Sequence, residues 1–521
     1  MKLAKIYNKS NIQLLLIAVV ALILSACNHS DDESPNNKVT SSELMFSVVL
    51  NATQSTSGVA SETNGTANIT VDTDSASISG SLEISNLSSS NVVNAVHLHT
   101  GLPGQAGGVA VTLEQDTTNI LQWKIPENSV LSTTQLESLL NGRTYLNVHT
   151  SDVTSGEIRG QVLPVGYEVN VTMLSGDQQV PNLVNSTISA TAYSLMNTNN
   201  GKLDTQLLVS DAMEVTAIHL HSGMAGTNGG VVSALEADAT NANVYHVSID
   251  LGSENQAAYT KGALYFNLHT NDNASGELRG QLLTDVLSLT KITLSGDQQI
   301  PNPISSSGSA MGFITLNSST GAYDANIRYM NLSDVTAAHI HQAYAGSNGG
   351  VVGTFTMSSS ETDFLELSGT FSLDEIAAFE NGEHYFNLHT SSNASGELRG
   401  QVIPKNISMI RSTLDSDQVV ESVNSNAMGI AYSTVNMSTG NIVANLQLFD
   451  ISDVSAIHIH QGTAGSSGGV VLTLSSSETD IWGVSDSLDT AELAQFKDGD
   501  LYYNVHTAAF AAGEIRGQIT P

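Results

Sequence analysis

The sequence predicts an all-β protein of four tandem antiparallel domains, each a β-sandwich or barrel with one short helix. The first observation is a unit of whole-domain length that occurs four times along the 521-residue chain. The second is the alternation of apolar and polar residues in segments such as Val96-His97-Leu98-His99, which is typical of a strand with one face on a core. The third is an abundance of Val, Ile and Thr between turns rich in Asn, Ser and Gly.

Three sequence blocks appear in the same order in every unit. The first is His-x-His with a Gly-rich stretch after it, the second is Tyr-x-Asn-x-His-Thr, and the third is Gly-Glu-Ile/Leu-Arg-Gly-Gln. The spacing places the domains at 40–164, 165–285, 286–404 and 405–521. A period of this length indicates whole domains, because solenoid repeats are far shorter.

Short helices are predicted before the second block, for example over 132–140, 374–379 and 490–496. The Gly-rich stretch is expected to be a tight loop between strands, since it lacks the lysine and the helix of a phosphate-binding loop. The Ser-Gly-Asp-Gln-Gln blocks at 175–179 and 295–299 are expected to have a structural role only.

The N-terminus has the order of a signal peptide over residues 1–27, followed by a polar tether over 28–39. Lysines precede an apolar run over 14–24, and the small residues Ser25 and Ala26 come next. This run is too short for a transmembrane anchor, which needs about 20 apolar residues. We therefore predict an exported protein.

Cys27 is the only cysteine of the chain, so no intramolecular disulfide can form. The segment Leu24-Ser25-Ala26-Cys27 resembles a bacterial lipobox, and this resemblance implies a lipidated Cys27 that anchors the protein to a membrane of the cell envelope. Asn28 follows Cys27 in place of an Asp, and its resemblance to the usual sorting pattern favours the outer membrane. The alternative is an ordinary signal peptide with an incidental cysteine.

The charge balance excludes some partners. The chain has 17 basic and 50 acidic residues, a formal net charge of −33. Such a chain repels nucleic-acid phosphates and favours solubility and cations. Nucleic acid is therefore excluded as an expected partner.

Histidines are concentrated in the first two blocks, three to a unit. Residues i and i+2 of a strand share a face, so three imidazoles converge if the two strands are neighbours. Imidazole suits both copper and zinc, and three nitrogen ligands leave room for a fourth; we predict copper first and zinc second. Alternatively, the histidines are hydrogen-bonded structural groups. The candidate ligands are His97, His99 and His149; His219, His221 and His269; His339, His341 and His389; His458, His460 and His506.

The third block places a glutamate and an arginine on one face of the closing strand. The glutamate is either an acceptor that orients a ligand histidine or, as we favour, the partner of the arginine in a partly buried ion pair. The pairs are Glu157 and Arg159, Glu277 and Arg279, Glu397 and Arg399, and Glu514 and Arg516.

The three blocks together resemble the CHRD domain of chordin and of many microbial exported proteins, over nearly all of the chain beyond residue 40. The resemblance implies an immunoglobulin-like or superoxide-dismutase-like β fold and no settled activity. His-x-His with a distant histidine also resembles part of the copper site of Cu,Zn superoxide dismutases. Those enzymes use a fourth copper-ligating histidine and a zinc-binding Asp, which the units lack.

These observations predict a membrane-tethered, cell-envelope protein with repeated His-based sites that bind metal without catalysis. The alternative is an extracellular adhesion protein, in which the histidines are structural and exposed loops bind a protein or a glycan. Superoxide handling or another redox activity is the enzymatic alternative. It is disfavoured because no serine triad, cysteine nucleophile or paired carboxylates recur in the units.

Overall fold

Every domain of the computed structural model is antiparallel β with one short α-helix, as predicted. The structure describes residues 42–421, 423–478 and 480–521. The predicted signal peptide, Cys27 and the predicted tether lie outside this range. None of the described helices is long and apolar enough to cross a membrane.

The elements follow one order in the first two domains. The first contains β1 Glu43–Leu50, β2 Asn64–Asp72, β3 Ile78–Ser85, β4 Val93–Thr100, β5 Val109–Thr112, β6 Glu114–Gln115, β7 Gln122–Lys124, α1 Thr133–Leu140, β8 Thr144–Thr150 and β9 Ile158–Gln161. The second contains β10 Tyr167–Leu174, β11 Ala190–Asn197, β12 Lys202–Val209, β13 Val215–Ser222, β14 Gly230–Ala234, β15 Glu236–Ala237, β16 Val244–Asp250, α2 Ser253–Thr260, β17 Leu264–Thr270 and β18 Leu278–Leu282.

The third domain repeats this order and the fourth differs by one fused strand. The third contains β19 Leu287–Leu294, β20 Ser309–Asn317, β21 Ala322–Met330, β22 Val335–Gln342, β23 Gly350–Thr354, β24 Thr356–Met357, β25 Phe364–Thr370, α3 Leu373–Glu380, β26 His384–Thr390 and β27 Leu398–Gln401. The fourth contains β28 Ile407–Leu414, β29 Met428–Asn436, β30 Asn441–Phe449, β31 Val454–Gln461, β32 Val470–Glu478, β33 Ile481–Ser487, α4 Thr490–Asp498, β34 Leu501–Thr507 and β35 Ile515–Ile519.

Two sheets face each other across the core of each of the first three domains. In the first domain their strand orders are β1-β2-β3-β7-β6 and β5-β4-β8-β9. A bridge between Asn51 and Arg159 brings the end of β1 to β9. In the fourth domain β32 is continuous and joins both halves into one eight-stranded sheet. The architecture is therefore a sandwich that nearly closes into a barrel.

A separate hydrophobic core fills each domain. In β1 the alternate residues Phe46, Val48 and Leu50 are buried and their neighbours are exposed, as the period of a half-buried strand requires. Burial of one such side chain stabilises the fold by about 1.5–3 kcal/mol. Four cores without a disulfide among the described residues therefore rest on apolar burial.

The short helices begin where capping residues stop the extended chain. Ser132, Ser372 and Asp489 accept the backbone N–H three residues on, and the side chain at that position bonds back to the cap. This reciprocal capping box satisfies two otherwise unpaired donors. The second helix begins after Gly252 without a side-chain cap.

Consecutive domains meet at a joint that recurs three times. The Nε2 of Gln206 in the second domain donates to the carbonyl oxygen of Gly104 in the first at 2.8 Å. Asn326 and Asn445 make the same kind of bond to the Gly-rich loops of the preceding domains, at 2.7 and 2.8 Å. The Gly-rich loop of each of the first three domains therefore contacts the next domain.

His384 is a buried histidine outside the triads. It opens β26, is 0% exposed, and its ring lies 5.0 Å from that of Phe371. Neither ring nitrogen has a hydrogen-bond partner, and burial lowers the pKa of His384 to about 4. Leu264 and Leu501 open the equivalent strands β17 and β34, so the position accepts an apolar side chain.

We expect the third domain to lose stability in acid through His384. The unfolded chain binds a proton near pH 6.5 and the folded one only near pH 4, so stability falls between these values, by about 2 kcal/mol at pH 5. Calorimetric unfolding of the full chain at pH 7.5 and 5.0 should show a smaller loss of stability in His384→Leu than in the parent. The exposed His246 provides the control variant His246→Leu, which should behave as the parent; an unchanged loss in His384→Leu would contradict the assignment.

Candidate metal centre

Two neighbouring strands bring the three histidines of each domain together. In the first domain β4 pairs with β8 so that His97 faces Asn147 and Ala95 faces His149. His97 and His99 share one face of β4, and the ring centroids of His97 and His149 lie 5.0 Å apart. One ring nitrogen from each of the three lies within 4.8 Å of the others. The predicted convergence is confirmed.

The same arrangement occurs in all four domains, with the predicted members in every case. The clusters are His97, His99 and His149; His219, His221 and His269; His339, His341 and His389; and His458, His460 and His506.

Backbone carbonyls determine which ring nitrogens carry hydrogen. The Nδ1 of His99 lies 2.9 Å from the carbonyl oxygen of Gly107, and the Nδ1 of His149 lies 2.9 Å from that of Thr154. A carbonyl only accepts, so each Nδ1 donates and each Nε2 keeps its lone pair in the neutral ring. The Nε2 of His99 is buried and has no partner. Equivalent bonds hold His221, His269, His341, His389, His460 and His506.

Burial keeps the His-x-His rings neutral. It is the main cause that lowers their pKa below the ordinary value, and nearby histidines lower it further because two imidazolium charges would repel. This holds for His97, His99, His219, His221, His339, His341, His458 and His460. Neutral imidazole is the form that binds metal.

A stack of three side chains supports the second histidine of each triad. The ring of His99 lies parallel to that of Tyr145 at 5.0 Å, and the Cζ of Arg159 lies 3.4 Å from the centroid of the tyrosine ring. The other domains repeat the stack with Tyr265, Tyr385 and Tyr502. These tyrosines open the second block in every unit, and that position was the one signal in the sequence that could have marked them as part of the site.

The buried arginine holds the Gly-rich loop in place. Arg159 donates to the carbonyl oxygens of Leu102 and Gln105 at 2.7 and 2.9 Å. The loop is the predicted tight turn between β4 and β5: a Cβ on Gly107 would lie 1.4 Å from the carbonyl oxygen of Thr100. Burial lowers the pKa of Arg159, Arg279 and Arg399 to about 10. They stay charged at neutral pH.

The predicted ion pair between glutamate and arginine is wrong. The described residues contain two ion pairs, Arg143 with Asp204 and Arg328 with Glu361. Glu157 instead accepts hydrogen bonds from the hydroxyls of Ser61 and Thr150 and from the amide of Asn91. One serine and one threonine hydroxyl donate in the same way at Glu277, Glu397 and Glu514. The alternative, a glutamate that orients a ligand histidine, does not match these contacts either.

Each glutamate forms a separate polar network. Burial alone would raise the pKa of Glu157, yet hydrogen bonds from Ser61 and Thr150 lower it. Each carboxylate therefore links the closing strand to neighbouring segments, while each arginine donates hydrogen bonds to the Gly-rich loop. The carboxylate accepts from hydroxyl and amide groups, and the guanidinium donates to loop carbonyls, so neither side chain depends on the other for its hydrogen bonds.

The triads fit a transition metal. Each offers unprotonated ring nitrogens that point toward one another, and one of them, the Nε2 of His99, His221, His341 or His460, is buried without a protein partner. Imidazole nitrogens bind Zn²⁺ at about 2.0–2.1 Å and suit copper equally. The three rings could hold an ion and leave a further position open.

Comparison with protein families decides the identity of the repeats. The family model described as the CHRD domain matches residues 46–162, 171–282, 290–402 and 410–519. The chain belongs to the CHRD family. This confirms the resemblance seen in the sequence, with four tandem CHRD domains. No curated protein matches the chain.

The second and third CHRD domains contain buried glutamines in the Ser-Gly-Asp-Gln-Gln blocks, which were expected to have a structural role only. Gln179 donates from Nε2 to the Oδ1 of Asn267 at 2.6 Å, and Gln299 makes the same bond to Asn387 at 2.7 Å. Each contacted asparagine lies two residues before the third histidine of its triad. The only sequence signal was the recurrence of Ser-Gly-Asp-Gln-Gln in two of the four units.

We expect Arg516→Lys to destabilise the fourth CHRD domain by about 2–3 kcal/mol, because lysine loses both the stacking plane and the fork of donors. Arg516 is 3% exposed and donates to the carbonyl oxygens of Thr463 and Ser466. Urea unfolding of the full chain measures the change. Arg411 is exposed in the same domain, so Arg411→Lys is the matched control and should unfold as the parent does. Equal stability of the two variants would show that the stack is dispensable.

Proposed function

We propose that the protein binds one transition-metal ion in each CHRD domain, copper in preference to zinc, and does so without catalysis. The observation that carries the proposal is the triad itself. In each domain the ring nitrogens that face one another include a buried lone pair with no protein donor. A buried acceptor without a hydrogen bond destabilises the folded protein, and a bound cation would remove this destabilisation.

The choice of metal follows from the ligands. All three donors are imidazoles, which suit copper and zinc, and divalent ions at such sites follow an affinity order in which Cu²⁺ exceeds Zn²⁺. A formal net charge of −33 raises the local concentration of cations around the chain. Four similar sites on one chain suit sequestration or buffering of the ion.

The location of this activity is part of the proposal. The signal-peptide order of residues 1–27 and the lipobox around Cys27 favour a lipid-anchored protein of the cell envelope, more readily at the outer membrane. An anchored chain with four sites would hold metal ions at the membrane surface. The adhesion alternative, with a protein or glycan partner, would instead use the exposed loops.

We expect the full chain, purified without a His tag and equilibrated with Cu²⁺, to retain about four ions after dialysis, one for each triad. His219→Ala with His221→Ala should retain one ion fewer, because one ring cannot hold the metal alone. Elemental analysis measures the stoichiometry.

His246→Ala is the control, since His246 is an exposed histidine outside the triads; it should retain as many ions as the parent. If the parent retains no metal and the double variant is only less stable, the histidines are structural. The adhesion alternative would then take the place of metal binding.

A further inference from the structure

The four triads differ in the contacts of one asparagine, two residues before the third histidine. In every domain its Nδ2 donates to the backbone carbonyl eight residues further on, which orients the amide the same way each time. The difference is in its other contacts. The four residues are Asn147, Asn267, Asn387 and Asn504.

In the second and third domains a glutamine clamps the asparagine. Gln179 and Gln299 are each 5% exposed, and each donates to the asparagine Oδ1 at 2.6 and 2.7 Å. With the amide held, the third histidine bonds to the first. The Nε2 of His269 lies 3.2 Å from the Nδ1 of His219, and the equivalent distance in the third domain is 3.1 Å.

In the first and fourth domains the clamp is missing. Ser55 and Val419 stand where Gln179 and Gln299 stand in the other two. The asparagine Nδ2 lies 3.4 Å from the Nε2 of the third histidine in both of these domains. The first histidine has a buried Nδ1 without a hydrogen-bond partner in both.

These two arrangements present different obstacles to an ion. Two ligand nitrogens of one ion at 2.0–2.1 Å lie about 3.3–3.6 Å apart, close to the separation already present in the clamped domains. There the hydrogen on Nδ1 of the first ring can move to its own Nε2, so the donor atom itself becomes a ligand. An amide N–H cannot become a ligand and only competes for the lone pair of the third histidine.

We propose that Gln179 and Gln299 are positioning residues that make the triads of the second and third domains the tighter metal sites. The inference rests on the proposed metal binding and divides the four sites into two classes. The clamped sites are expected to bind the ion about tenfold more tightly, because two ligand nitrogens already lie near the separation that one ion requires and no amide N–H competes for the third histidine.

Titration of the full chain with Cu²⁺ against a chromophoric chelator at fixed pH tests this division. The parent should show two tight and two weaker sites. Val419→Gln installs the clamp in the fourth domain and should give three tight sites and one weaker site. Gln179→Val with Gln299→Val should give four sites of the weaker class.

The third tight site expected in Val419→Gln is the decisive result, because a merely structural disturbance does not create a tight site. Unfolding without metal shows whether the double variant is still folded. Four equivalent sites in the parent, or a Val419→Gln chain that binds as the parent does, would overturn the division while metal binding stands. Absence of bound Cu²⁺ in the parent would overturn both proposals.

Discussion

The guanidinium group buried in each domain is the interaction on which the rest of the site depends. Arg279, for example, is 1% exposed, and moving such an ion out of water costs several kcal/mol. The cost is offset by the face of Tyr265 on one side and by loop carbonyls that accept its N–H groups. Because these contacts offset the cost of burying the charge, the guanidinium group holds the Gly-rich loop in one conformation.

That loop has two functions in the first three domains. The carbonyl of Gly229 orients His221, while the carbonyl of Ala225, in the same loop, accepts a hydrogen bond from Asn326 of the next domain. The candidate metal site and the joint between domains are therefore built on one segment. In the fourth domain a Cβ on the equivalent Gly465 would meet nothing within 4 Å, whereas at Gly104 and Gly346 it would meet a tyrosine of the next domain.

The closing strand shows why opposite charges close in sequence need not pair. Glu157 and Arg159 are both buried, and each needs several partners to offset desolvation. The carboxylate finds hydroxyl and amide donors on one side of the strand end, and the guanidinium finds carbonyl acceptors in the loop. A single mutual contact would have satisfied neither group.

The class of fold, the four repeated units and the candidate members of each histidine triad are predictable from the amino-acid sequence, but only the pairing of β4 with β8 brings His149 to His97. Alternation along a strand is a local signal, and it suffices to place His97 and His99 on one face. The partners of the arginines, the nitrogen that carries hydrogen in the hydrogen-bonded imidazoles and the contact of Gln179 follow only from the folded structure. These depend on contacts between residues far apart in the chain, such as the 88 positions between Gln179 and Asn267, and no periodicity encodes which distant groups the strand register brings together.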